Sequence, residues 1–144
     1  MKKLSKILIL ILITAFALTM LVSCGTPDLE TLTKKLEDNG YTVQVIRPGE
    51  ENNSDSVKTT ILVPNIEDVD YVLTAHDYDY STNSPYNYNY TVIVVFKNAA
   101  GLKTYLADED VTEAKKEIES YGFKVKIVGN AYVIGTPDAV SLIG

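Results

Sequence analysis

The sequence predicts an α+β domain, a two-layer sandwich with helices packed on one face of a mostly antiparallel sheet. Three observations carry this expectation. Residues 29–46 and 111–128 each read as an amphipathic helix, a glycine and an alternating strand. "YVLTAHDY" (71–78) and "YTVIVVFK" (90–97) read as two long strands joined by a connection without aliphatic side chains. "GN" at 129–130 separates two further apolar runs at hairpin spacing.

The elements follow in order. Leu29, Leu32 and Leu36 recur at helical spacing, and Thr26-Pro27 offers an N-cap followed by proline at the first helical position. Gly40 can take the left-handed conformation that closes such a helix. Tyr41, Val43 and Val45 then alternate with polar residues, as a strand buried on one face requires. A polar connection, "RPGEENNSDS" (47–56), leads to a strand expected near 57–63. The run Val92 to Phe96 is continuous rather than alternating, which suits an interior strand buried on both sides. Leu102, Tyr105 and Leu106 mark a helix from about 98 to 107. Asp110 and Glu113 have capping-box spacing ahead of a stripe formed by Val111, Ala114, Ile118 and Tyr121, and that helix stops at Gly122. Phe123, Val125 and Ile127 alternate with Lys124 and Lys126, and the Gly129-Asn130 turn joins strands 123–128 and 131–135. "GTPD" at 135–138 repeats residues 25–28 and predicts a short helix from Pro137 to about Ile143.

The helix-strand pattern occurs twice in register. An ungapped alignment of 29–46 with 111–128 superposes Lys34, Glu37, Gly40 and Val43 on Lys116, Glu119, Gly122 and Val125. Leu36 meets Ile118, Tyr41 meets Phe123 and Val45 meets Ile127, so the chain is expected to contain a duplicated helix-strand-strand unit.

The N-terminus has a different character. Lys2, Lys3 and Lys6 precede an uncharged run of 16 residues, 7–22, which as a helix spans about 24 Å, short of the roughly 30 Å of a bilayer core. Basic residues before a short apolar run describe an export signal. The residues that close it, Leu21-Val22-Ser23-Cys24, resemble the lipobox of bacterial lipoproteins. That resemblance covers residues 1–24. It implies cleavage between Ser23 and Cys24, a diacylglyceryl group on the Cys24 sulfur and an acyl chain on the new amino group. The organisation expected is a cleaved signal (1–23), a lipidated N-terminus (24–26) and one α+β domain (27–144), held on the extracytoplasmic face of a bacterial membrane. Cys24 is the sole cysteine, so the domain holds no disulfide and depends on core packing. Burial contributes about 0.8 kcal/mol per methylene, so one chain holds marginally and two hold durably.

Charge narrows the partners. Three of the 13 basic residues and none of the 19 acidic ones precede Cys24, which leaves the mature chain at −9 and argues against nucleic acid. No nucleophile elbow, zinc-protease, P-loop or dinucleotide fingerprint is present, and no cofactor beyond the lipid is expected. His76 stands alone on a strand, and Asp108-Glu109-Asp110 precede a helix, where negative charge is favourable. No catalytic residue is assigned, and the chain is read as a non-enzyme. A carboxylate-dependent hydrolase is a minor alternative. A calcium-binding module is another, because Asp77, Asp79, Ser81 and Asn83 alternate as in the first half of a calcium loop. Thr82 and Tyr88 stand where that pattern has glycine and glutamate, so Asp77 and Asp79 are weak metal candidates.

Five of the ten tyrosines, Tyr78, Tyr80, Tyr86, Tyr88 and Tyr90, fall between residues 77 and 90. Parity places Tyr86, Tyr88 and Tyr90 on the face of Val92, Val94 and Phe96. Such rings offer broad contact area with a polar rim, suited to an envelope protein, peptide or glycan. They can equally pair across the hairpin and stiffen it. The function expected is a lipid-anchored, non-enzymatic binding or interaction module, with a structural envelope scaffold as the alternative.

Overall fold

Helices and strands form where the hydrophobic period changes, and side-chain caps from Asp28, Asn98 and Asp108 start three of the helices. The computed structural model describes residues 26, 28–48, 66–77 and 88–144. In chain order they form α1 (Leu29–Asp38), β1 (Thr42–Ile46), a 3-10 turn (Ile66–Asp68), β2 (Val69–Asp77), β3 (Asn89–Phe96), α2 (Ala99–Leu106), α3 (Glu109–Ser120), β4 (Lys124–Val128), β5 (Ala131–Gly135) and α4 (Pro137–Ser141). The strand expected near 57–63 lies outside the described residues.

Two helix starts differ from the sequence expectation. The N-cap of α1 is Asp28, whose carboxylate accepts from the Thr31 N–H at 3.0 Å and from the Thr31 hydroxyl. Those bonds, the side-chain one foremost, hold its carboxyl below the usual carboxylate range. A charged acceptor also complements the helix dipole better than the hydroxyl of Thr26 would. Thr26 is engaged elsewhere, accepting from the Asn130 backbone N–H at 2.6 Å. In α3 the cap is Asp108, which accepts from Asp110 N–H at 2.9 Å, so the helix begins ahead of the predicted Asp110–Glu113 box. Tyr121 also leaves the expected stripe. It follows the last turn of α3 and is 72% exposed. The stops hold as expected, with Gly40 and Gly122 at φ +87° and +88°.

The strands form one antiparallel sheet in the order β1-β2-β3-β5-β4. All six residues from Thr91 to Phe96 are buried, and a strand buried on both sides needs cover on both. The helices therefore divide between the two faces, where the sequence placed them on one. On the first face, Leu32 and Leu36 of α1, Ala139 and Val140 of α4, and Ile143 pack over Tyr71, Leu73, Ile93, Val95 and Val133. On the second, Leu102 and Tyr105 of α2 and Val111 of α3 pack over Val69, Val72, Val92, Val94 and Tyr132. Tyr105 lies between Phe96 and Tyr132 with ring centroids 5.2 Å from each, tilted to the first and edge-on to the second. Burial pushes both phenols up, that of Tyr132 to about 12.

The division has a geometric basis. Among the described strands, both α1-β1-β2 and α3-β4-β5 place their first strand at a sheet edge and their second beside β3. Antiparallel pairing throughout makes β1, β3 and β4 run the same way. Val43 packs on the first face and its counterpart Val125 on the second; Ile46 and Val128 are exchanged in the opposite sense. Half a turn about β3 keeps strand direction and swaps faces, so it relates the two units. Coverage is unequal, because Leu36 is fully buried while its counterpart Ile118 is half-buried, and Ile127 is 51% exposed.

Candidate functional site at the tyrosine end of the sheet

The site lies where β2 and β3 leave the sheet. Their register sets His76 opposite Tyr90 and Asp77 opposite Asn89. Tyr90 packs onto the second-face core beside Val92, as parity requires, and burial raises its phenol pKa, with Tyr88 adding to the effect. The Tyr88 ring stacks on it, centroids 5.9 Å apart and planes within 13°. Tyr88 is 45% exposed. One ring is thus anchored in the core and the next is displayed. Of the remaining tyrosines singled out, Tyr78, Tyr80 and Tyr86 lie outside the described residues, as do Asp79 and Cys24.

The base of this hairpin is tied to the end of β5. Thr136 N–H donates to Tyr90 O at 2.9 Å. Its hydroxyl accepts from Tyr90 N–H at 3.3 Å and donates to Asn89 Oδ1 at 3.2 Å. The buried Thr91 hydroxyl donates to Ile134 O at 2.9 Å. A Cβ on Gly135 would lie 2.9 Å from Thr91 Cα and press on the Tyr90 carbonyl, so only glycine allows this approach. Thr136 caps no backbone N–H of α4 with its side chain, which leaves its hydroxyl for the hairpin.

Strand alternation separates the polar groups. His76 shares the Tyr90 face, whereas Asp77 lies on the face of Ala75 and Tyr41. Burial raises the Tyr41 phenol pKa, and Asp77 and Asp138 raise it further. His76 and Asp77, adjacent in sequence, therefore serve opposite surfaces and form no acid-base pair. Among the described residues, no group of three or more His, Cys, Asp or Glu could hold a metal ion.

Three residues join the tyrosine face that sequence reasoning did not find. Register places Thr42 beside His76 and Gln44 beside Thr74, on the face shared with Tyr90. Thr42 and Gln44 are exposed, while Thr74 and His76 are half-buried. Together they form a polar sheet surface bordered by two stacked rings, able to hydrogen-bond a ligand across its plane and pack it against Tyr88. The signal was parity across three strands. It was hidden because no local pattern pairs β1 with β2 across the connection between them. No family model, curated protein or solved structure matches this chain.

Proposed function

We propose that the chain is a lipoprotein anchored through Cys24 to the extracytoplasmic face of a bacterial membrane. Its domain is a non-enzymatic binding module for an envelope protein, peptide or glycan. The lipobox-like Leu21-Val22-Ser23-Cys24 and the lone cysteine support the anchor. Among the described residues, no helix is long and apolar enough to cross a membrane. The observation that carries the binding role is the stacked Tyr88–Tyr90 pair, with its outer ring 45% exposed beside a polar sheet surface. The half-burial of Tyr90 favours a second reading, in which the hairpin is a stiff element of an envelope scaffold.

Tyr88→Ala separates the two. Partners are identified by glycan array and by crosslinking of the lipidated protein in envelopes. The binding role requires capture to fall at least about tenfold, roughly the 1–2 kcal/mol of an exposed aromatic contact, with the thermal midpoint little changed. Unchanged capture with a lowered midpoint assigns Tyr88 to packing and supports the scaffold.

A further inference from the structure

Thr26 joins the start of the domain to one end of the sheet. Its hydroxyl accepts from Asn130 N–H at 2.6 Å, in the turn between β4 and β5. The contact is close: a Cβ added to Gly129 would lie 2.6 Å from Thr26 Cα. This turn is at the Phe96 end of the sheet, since Phe96 N–H donates to Asn130 O at 3.0 Å. The tyrosine hairpin is at the other end, where Thr136 N–H donates to Tyr90 O. Six residue steps along β3 separate the two levels, about 20 Å at about 3.4 Å per step.

Cys24 precedes Thr26 by two residues, and two peptide units reach at most about 7.6 Å. We infer that the Gly129–Asn130 end of the sheet faces the lipid headgroups and that the Tyr88–Tyr90 surface is presented outward, away from the bilayer. The inference rests on the lipid-anchor reading proposed above. One residue, Gly25, separates Cys24 from Thr26 in the sequence, too short a link for a domain held at Thr26 to turn over. The end with Lys97, the Asp68 carbonyl that accepts from its N–H, and Asn98 at the start of α2 is then the membrane-facing surface. The tyrosine surface meets its partner in the aqueous compartment, beyond the headgroup layer.

The test uses the full-length lipidated protein in phosphatidylglycerol–phosphatidylethanolamine vesicles. A fluorophore is placed through Lys97→Cys at the turn end or through Asp38→Cys at the end of α1 on the tyrosine side. Both residues are exposed. A headgroup-attached quencher is expected to quench the label at 97 at least threefold more than the label at 38. Adding Thr26→Val, which removes the hydroxyl acceptor, is expected to shrink that ratio towards one. Equal or reversed quenching in a lipidated protein overturns the orientation alone, and an undiminished ratio in Thr26→Val overturns the pin. Fatty-acid labelling of Cys24, controlled with Cys24→Ala, reports the anchor separately: absence of label removes the proposed function and this inference together.

Discussion

Replacing Gly135 with alanine tests whether the closeness of β5 to the base of the tyrosine hairpin is built in. The added Cβ would lie 2.9 Å from both Thr91 Cα and Thr91 Cβ and would press on the Tyr90 carbonyl. Two of these three obstacles are backbone, and Thr91 is fully buried, so no flexible side chain can swing clear. Overpacking costs about 1–3 kcal/mol, and a backbone obstruction belongs at about 2–3 kcal/mol. A domain of about 115 residues has an unfolding entropy near 0.24 kcal/mol/K, so the midpoint is expected to fall by about 8–12 °C. Circular dichroism melts measure this directly. Gly122→Ala supplies the contrast, because a Cβ there meets nothing within 4 Å and φ is +88°. Its cost is conformational alone, about 1 kcal/mol, or about 4 °C. A Gly135→Ala midpoint within about 2 °C of the parent, or no lower than that of Gly122→Ala, would refute the reasoning.

Other outcomes follow from the two units and the buried phenols. Leu36→Ala empties a fully buried site and should cost about 3 kcal/mol, whereas Ile118→Ala, at the half-buried counterpart, should cost about 1 kcal/mol in urea titrations. Equal losses would mean that the halves are equally packed. Tyr132 has a folded pKa of about 12 against an ordinary value of 10, so its stabilising contribution is complete below pH 10 and is lost as pH rises towards 12. Over that window the parent should lose about 2 kcal/mol more than Tyr132→Phe, and parallel curves for the two proteins would count against burial of the phenol.

Much of the fold was legible because it rests on local periods. The alternation after Gly40 and Gly122 marked β1 and β4, and Gly129-Asn130 marked the β4–β5 hairpin. The unbroken Val92–Phe96 run encodes cover on both sides of β3, which helices on both faces of the sheet supply. Helix starts were missed for a competitive reason. Thr26 and Asp28 are both cap residues, and only the tertiary bond from Asn130 N–H reveals that Thr26 is occupied. Likewise, Tyr121 has the right spacing for the α3 stripe but falls just past its last turn. In the candidate site, parity alone aligned Tyr88 and Tyr90 with Val92. Thr42, Gln44 and Thr74 depended on the β1–β2 pairing, which spans a connection whose length no local pattern encodes.

The axis along β3 has a consequence for how the domain opens. Ile93 and Val94 are adjacent, yet one belongs to the core under α1 and α4 and the other to the core under α2 and α3. Neither unit can peel from the sheet without exposing one side of a strand whose opposite side stays covered. The two halves should therefore unfold as one cooperative unit despite their repeat character. The backbone amides of Ile93 and Val94 should exchange with solvent only through global opening, the slowest in the molecule.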